Sequence, residues 1–433
     1  MRRFCLTLAG LLAASPAAAR ELFVVESEGP GGGGAVQRGG SEVFELLDDA
    51  LRAEGAFAGF FGADQRVSLD YAGVADAAEF DVAADGRSAT LRLDGIGFTR
   101  TFRGRDREDL VEGIQDYFEE EGSGVYADYL AYLRREALIG AVDGNPDAAT
   151  AQMAAGSFRR HALPGPEALG GDRALTFRLD EGAMGWARFT GTGGSIDADG
   201  FGGGRFTGTL EGGIDLSDFW GLTGAYSFGY RDIEGAGLWH SGLEVGVPLT
   251  LLGRRAGSLD ENALSLRLTP VLQLGSAGSG DTGDLGAFLG YGVNAAGAAR
   301  VGDLTFSAGA GIVGYSGLSQ TFLDYDDRDR TSGPFLSSGV DRDELDTELD
   351  QAVASLGVGV LWRPGNAFSI DAGLAHHRHL GDAAVEAWWS PSAGVAFTGP
   401  WTTLRVGYEG TFAEEDADLY AGHAVKASFT WSF

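Results

Sequence analysis

The sequence has one cysteine, few basic residues and no apolar run long enough to cross a membrane as a helix. Because that cysteine, Cys5, stands at the start of the first apolar run and not after it, neither a disulfide nor a lipid anchor is expected. The sequence has 32 basic and 62 acidic residues, which gives a net charge of −30. This charge excludes nucleic acid as a partner, because nothing would neutralise its phosphates. A chain of this kind could span a bilayer only as a closed sheet.

Residues 1–19 are typical of a secretory signal peptide. Arg2 and Arg3 give a basic start, residues 4–14 are apolar but too short to span a bilayer, and residues 17–19 are small alanines suited to cleavage. We therefore expect removal of this segment before Arg20 and export of the rest of the chain.

Residues 419–433 alternate between apolar and polar side chains. The apolar face carries Leu419, Ala421, His423, Val425, Ala427, Phe429, Trp431 and Phe433, and the polar face carries Tyr420, Gly422, Ala424, Lys426, Ser428, Thr430 and Ser432. A period of two indicates a strand with two different faces. Because the pattern recurs from about residue 174 onwards and its apolar face ends in aromatics, the sequence predicts an all-β transmembrane barrel in an outer membrane. Phe429, Trp431 and Phe433 mark the C-terminal strand for membrane insertion.

The pattern predicts twelve antiparallel strands from about residue 174, and short and long connections alternate between them. The short connections are residues 215–219, 300–303, 363–366 and 398–401, and the longer polar ones are residues 192–200, 276–283, 320–348 and 413–419. Periplasmic turns are short and outer loops are long, so both ends of the barrel should lie on the periplasmic side. Aromatic residues gather at both expected interfaces, with Phe219, Trp220, Trp362, Phe368, Phe397, Trp401, Trp431 and Phe433 near the short turns and Phe189, Tyr230, Trp239, Trp389 and Phe412 near the loops.

Three segments precede the barrel. Residues 20–40 include four consecutive glycines and predict a flexible segment. Residues 41–142 mix helical and strand periodicities, which predicts a small α+β domain. Residues 143–165 predict a slim, alanine-rich linker or plug helix, with Asn145 as its N-cap and Pro146 in its first turn.

The inward face of the predicted barrel is small, because glycines recur on it at Gly286, Gly290, Gly292, Gly309, Gly311, Gly357 and Gly359. Such a wall leaves room for something about 10 Å across, the diameter of a helix, and residues 146–161 are next in sequence. Alternation also turns charged side chains inward, namely Arg205, Glu211, Glu244, Arg267, Arg405, Glu409 and Lys426. These predicted lumen-lining residues either set the selectivity of a channel or form salt bridges to a plug.

The chain resembles the autotransporter translocator family in the helix of residues 146–161, the opening sequence GWARF at residues 185–189 and the closing sequence FTWSF at residues 429–433. The resemblance implies a twelve-stranded barrel, a linker helix inside the pore and an exported N-terminal region. Family members usually export a long repetitive region, whereas residues 20–140 show no repeat. The N-terminal domain is therefore expected either in the periplasm or on the cell surface. Expected partners are outer-membrane lipids, the barrel-assembly machinery, and a small solute or an exported segment.

The leading hypothesis is an autotransporter-like translocator or display barrel with a helix in its pore. A narrow diffusion channel for small solutes is one alternative. Another is an adhesive or structural protein that uses the acidic outer loop within residues 324–350. For that loop a solvated surface is favoured over a calcium site, because Arg328 interrupts the ligand spacing of an EF-hand.

A lipid hydrolase is a minor alternative, suggested by His376, His377 and His379 near the outer end of one strand. Alternation turns His377 and His379 inward, whereas a lipid hydrolase would hold its reactive groups toward lipid. The G-x-G-x-x-G motif of residues 309–314 lies inside a strand with no helix after it, which excludes a nucleotide site. We therefore predict no enzyme activity, no cofactor, and no catalytic or metal-binding residues.

Overall fold

The computed structural model describes residues 21–30, 35–40, 43–118, 123–163, 184–217, 219–252, 264–279, 285–319, 351–365, 367–399, 401–415 and 419–432. Phe433 and the acidic loop within residues 324–350 lie outside these ranges, so the predictions made for them stay predictions.

The N-terminal part is one antiparallel sheet of six strands in the order β2-β1-β3-β4-β5-β6, accompanied by helices. The strands are β1 (Phe23–Glu28), β2 (Val36–Gly40), β3 (Gln65–Tyr71), β4 (Val74–Val82), β5 (Ser88–Leu93) and β6 (Phe98–Arg103). The helices are α1 (Val43–Arg52), α2 (Arg107–Asp116) and α3 (Ser123–Glu136), with short 3-10 turns at Gly55–Phe60 and Asp94–Ile96. No helix in the described part of the chain is long and apolar enough to cross a membrane.

For the described residues 21–30 and 35–40, the prediction of a flexible segment is wrong. Strand β1 pairs with β2 on one side and with β3 on the other, and Phe23 and Val25 are fully buried in the core of the domain. The sequence of this strand does not alternate between apolar and polar residues, although the buried positions Phe23, Val25 and Ser27 do alternate with less buried ones. The neighbouring glycines dominated the composition on which the prediction was based. The α+β domain therefore begins with β1, before the predicted boundary at residue 41.

The C-terminal part is a closed antiparallel barrel. Its strands are β7 (Met184–Ala198), β8 (Phe201–Asp215), β9 (Gly221–Ile233), β10 (Ala236–Gly246), β11 (Leu249–Leu252), β12 (Leu264–Gly278), β13 (Leu285–Val301), β14 (Leu304–Ser319), β15 (Gln351–Trp362), β16 (Phe368–His379), β17 (Ala387–Thr398), β18 (Thr402–Ala413) and β19 (Ala421–Ser432). The last strand, β19, pairs with the first, β7, and this pairing closes the barrel. Both β10 and β11 pair with β12, and Pro248 interrupts them, so they form one bent strand. The barrel thus has the twelve strands that the sequence predicts.

Alternation places apolar side chains outside the barrel and polar ones inside. On β12, Leu272 and Leu274 are 53% and 52% exposed, whereas Gln273 between them is 1% exposed. On β19, Phe429 and Trp431 are 49% and 53% exposed. An apolar outer surface with a polar interior is the arrangement that a lipid environment stabilises.

The predicted outer link at residues 192–200 is also wrong. Strand β7 continues to Ala198 and joins β8 through the two-residue turn Asp199-Gly200, where φ is 51° and 86°. Two positive φ values match the twist of a hairpin, and glycine adopts them without strain. The glycines inside β7 resemble loop composition, which explains the error. Consequently Phe189 lies beside Phe429, nearer the opposite end of the barrel than predicted.

Candidate functional site in the barrel lumen

The two ends of the barrel differ in their connections. At one end, here the turn end, β7 begins and β19 ends, and short connections such as residues 302–303 join the strands. At the other, here the loop end, lie the hairpin turns at residues 199–200 and 234–235 and the long connection between β14 and β15.

Helix α4 (Ala149–His161), the lumen helix, lies against the inner wall of the barrel. It begins three residues later than predicted, because Asn145 is not its N-cap. The N-cap is Ala148, while the Asn145 side chain accepts a hydrogen bond from the Asp147 amide over 3.0 Å and donates one to the Gly140 carbonyl. Asn145 therefore shapes the buried bend that leads into the helix.

Contacts along the lumen helix define its direction. Before it, Val142 lies close to Gly286 at the loop end of β13. In its middle, the Ser157 hydroxyl accepts a hydrogen bond from Asn294 over 3.0 Å, halfway along the same strand. Just after it, Ala162 lies against Gly309, which is nearer the turn end of β14. The helix therefore enters at the loop end and runs toward the turn end, where β7 begins.

Glycines of the wall allow the close approach of the helix. A Cβ atom at Gly309 would lie 2.6 Å from the carbonyl oxygen of Ala162, and one at Gly311 would lie 3.1 Å from the Phe158 ring. A Cβ at Gly357 would lie 3.0 Å from the same ring. These three predicted inward glycines are thus spacers for the helix.

Ion pairs join the helix to the wall. Glu244 of β10 lies 2.9 Å from Arg160 and 3.0 Å from His161, and Glu409 of β18 lies 2.5 Å from Arg159. All of these side chains are mostly buried. Removing one partner of such a pair leaves an uncompensated buried charge, at a cost of about 3–5 kcal/mol.

A second anchor lies at the entry to the helix. The Asp147 carboxylate accepts hydrogen bonds from Arg205 of β8 and from the hydroxyl of Tyr420, just before β19. Burial alone would raise the pKa of Asp147, but the positive charges of Arg205 and Arg231 and the bond from Tyr420 lower it below its ordinary value. Asp147 is therefore held as a carboxylate.

The structure places the predicted lumen-lining residues in four different surroundings. Arg205, Glu244 and Glu409 pair with the lumen helix or with its entry. Glu211 and Arg405 pair within the wall, with Arg188 and Asp371 respectively. Lys426 faces the remaining space, and Arg267 lies on β12 opposite Thr250 and Ala296, outside the lining of that space.

Two members of these pairs, Arg188 and Asp147, were not predicted from the sequence as lumen residues, whereas alternation turns Asp371 inward below His377. For Arg188 a signal exists, because its neighbour Phe189 is outward and period two then turns Arg188 inward. No local signal joins Asp147 to Arg205, which lies 58 residues away.

The lumen helix does not fill the barrel. It packs against β10 and β12 to β15, and a cavity of about 160 Å³ remains on its other side. This space, the side cavity, is lined by β7 to β10 and β15 to β19 and by the helix residues Gln152, Met153, Gly156, Arg159 and Arg160.

Two of the three clustered histidines, His377 and His379, are buried. His377 and His379 face inward, and the Ser355 hydroxyl, which sequence analysis missed, lies 2.8 Å from Nδ1 of His377. A serine–histidine contact resembles a hydrolytic pair. Here His377 is 0% exposed and packed between the rings of Phe158 and Trp388, so its ring has no contact with solvent.

The outward histidine is tied to the rim. His376 lies 3.0 Å from the Glu414 carboxylate and against the Trp389 ring. Among the described residues, no three His, Cys, Asp or Glu side chains converge as a metal site would require.

No protein family and no curated protein matches the sequence. The chain is similar in structure to the translocator domain of autotransporter NalP from Neisseria meningitidis, with a TM-score of 0.37 and 14% identity over 59% of this chain and 91% of that one. It is also similar to the beta domain of the Bordetella autotransporter BrkA, with a TM-score of 0.38 and 15% identity over 58% and 100% of the two chains. A third similar structure is the Pseudomonas putida toluene transporter TodX, with a TM-score of 0.33 and 11% identity over 63% and 94%. At these TM-scores the likeness is one of barrel architecture and does not assign a function.

Proposed function

We propose that this outer-membrane barrel displays its N-terminal α+β domain on the cell surface and that the lumen helix is the tether. The observation that carries the proposal is the direction of the helix, from the loop end at Val142 to the turn end near Gly309. Because short turns of outer-membrane barrels lie in the periplasm, the domain at the loop end is on the outer side.

Contacts at the loop end support attachment of the domain to the barrel rim. The Leu138 amide donates to the Ala72 carbonyl of the domain, and Arg231 of β9 donates to the Gly140 carbonyl over 2.9 Å. The Val385 amide donates to the Gly144 carbonyl over 3.2 Å. The segment between α3 and α4 is buried throughout, which favours a rigid attachment over a loose linker.

Ion pairs inside the lumen support the role of α4 as a fixed tether. Its last turn is held by Glu244 and Glu409, and its entry by the Asp147–Arg205 pair. A helix that only crossed the pore during export would not need paired charges at both ends. We therefore propose that α4 remains in the lumen after assembly.

An epitope tag tests the orientation. The tag is inserted beside Phe61, which is 75% exposed at a bend of the domain, and a matched control carries it at Gly302 in a short turn. Antibody staining of intact cells should label the first protein only, and both should be labelled after permeabilisation. Staining of the Gly302 tag alone on intact cells would mean that the barrel has the opposite orientation in the membrane. Staining of neither tag would mean that the domain lies in the periplasm.

The side cavity favours a second candidate function, a narrow diffusion channel for small solutes. Space remains beside the lumen helix, and polar side chains line it. Conductance of the purified protein in a planar bilayer tests this candidate, since a sealed lumen would carry no current above that of the lipid alone.

A further inference from the structure

Lys426 is the only lysine among the 32 basic residues of the sequence. It lies on β19, where alternation turns it inward, and it lines the side cavity. An ammonium group is a compact charge with three rotatable donors, whereas arginine is a rigid planar fork suited to carboxylate pairs. The single lysine therefore stands where a small, adaptable charge is useful.

Hydroxyl groups surround this charge on neighbouring strands. The register places Lys426 opposite Thr192, and Thr192 opposite Thr207. The next inward row runs from Ser428 through Thr190 and Thr209 to Ser227. All six hydroxyl residues line the side cavity, so this wall offers a continuous patch of small donors beside the ammonium group.

The carboxylates that line the cavity are already engaged by arginines. Glu409 lies 2.5 Å from Arg159, Asp371 lies 2.5 Å from Arg405, and Glu211 pairs with Arg188. Within the described residues, no acid lies within ion-pair distance of Lys426. Among the described charged side chains that line the cavity, Lys426 is therefore the one without an ion-pair partner.

A second, independent observation is the buried guanidinium of Arg205. Its side chain is 7% exposed and lines the cavity, and only one of its nitrogens, Nη1, reaches Asp147. The Nε and Nη2 groups have no hydrogen-bond partner in the described part of the chain. Buried N–H groups of a charged side chain are costly to leave unpaired.

We propose that the side cavity binds a small oxyanion, with Lys426 as its main charge and the threonine hydroxyls and Arg205 as further donors. Cationic and hydroxyl donors together match the several acceptor atoms of an oxyanion. The cavity holds one such ion with a few waters. This inference concerns the lumen alone and stands whether or not the N-terminal domain is displayed on the surface.

The single lysine provides a direct test. The full-length protein in detergent is treated with a neutral acetylating reagent, and acetylation of Lys426 is followed by peptide mass spectrometry. Inorganic phosphate is the probe, with chloride at equal ionic strength as reference. Saturating phosphate should slow acetylation of Lys426 about tenfold, since roughly nine sites in ten are then occupied. The α-amino group of the same chain should react at an unchanged rate.

Variants that lack hydroxyl groups of the cavity wall provide the second test. The double substitution Thr192→Val and Thr207→Val keeps side-chain shape but removes two donors, and it should raise the phosphate concentration for half protection about tenfold. Thr305→Val is the matched control, because Thr305 is buried on β14 but does not line the cavity. Equal protection by chloride and phosphate would mean charge screening only and would overturn the proposal. Lys426 that never reacts would overturn it as well, because solutes would then not reach the site.

Discussion

The Nε2 atom of His161 lies 3.0 Å from Oε1 of Glu244, and this contact ties the last turn of the lumen helix to strand β10. Arg160 shares the same carboxylate, with its Nη2 atom 2.9 Å from Oε2. The side chain of Gln273 on β12 donates to Oε2 as well, over 2.6 Å. Glu244 is therefore the point at which the helix, β10 and β12 meet.

Replacing Glu244 by alanine should loosen the C-terminal end of the lumen helix. The change leaves Arg160 as a buried charge without its partner, which costs about 3–5 kcal/mol. We expect more frequent and larger conductance steps in a planar bilayer than for the unchanged protein. Glu386→Ala is the control, because Glu386 pairs with Arg378 on the exposed rim and should leave conductance unchanged. Identical traces for all three proteins would show that Glu244 does not hold the helix.

Deleting residues 146–161 should raise single-channel conductance more than Glu244→Ala does. The deletion removes the whole helix and the Asp147 anchor, so the space it occupies joins the side cavity. The measurement is the same bilayer recording, and the expected order is deletion, then Glu244→Ala, then the unchanged protein. Folding of the deletion variant is checked by its electrophoretic migration before and after heating. If the folded variant conducts no more than the unchanged protein, the helix does not obstruct the lumen.

Replacing Gly309 by valine should destabilise the assembled barrel. The new Cβ would lie 2.6 Å from the Ala162 carbonyl oxygen, so the helix must shift away from the wall. Overpacking of this kind costs about 1–3 kcal/mol of the free energy of unfolding. Gly297→Val is the matched control, since a Cβ at Gly297 lies 3.9 Å from its nearest neighbour. Denaturant unfolding in detergent should separate the two variants, and equal midpoints would rule out the spacer role of Gly309.

Much of the barrel could be predicted because its information is local. Period two separates Leu272 from Gln273 without any knowledge of the partner strands, and the same rule turns Lys426 and Glu409 inward. What failed depends on distant contacts. Asn145 has the residue type of an N-cap, but the Gly140 carbonyl and the Asp147 amide use its side chain instead. The pairing of Asp147 with Arg205 and Tyr420 depends on the way the barrel closes, which no window of the sequence contains.

Replacing Asp147 by asparagine should release the N-terminal domain from the rim. The Arg205 guanidinium would lose its carboxylate while remaining 7% exposed, at a cost of about 3–5 kcal/mol. Tyr420→Phe removes one hydrogen bond to the same carboxylate, which costs about 1.5–3 kcal/mol because the acceptor is charged. Limited proteolysis in detergent should therefore cut the segment at residues 137–148 fastest in Asp147→Asn, more slowly in Tyr420→Phe and slowest in the unchanged protein.

Acid provides a second test of the same anchor. The folded-state pKa of Asp147 is lowered, so its contribution to stability is present above the ordinary carboxylate pKa of about 3.9 and is lost as the pH falls through the lower folded value. Proteolysis of the unchanged protein by an acid protease should accelerate only below that ordinary value. Asp147→Asn should be cut rapidly at every pH tested, without a step in the dependence of its cleavage rate on pH. A step of equal size in both proteins would mean that another carboxylate holds the domain.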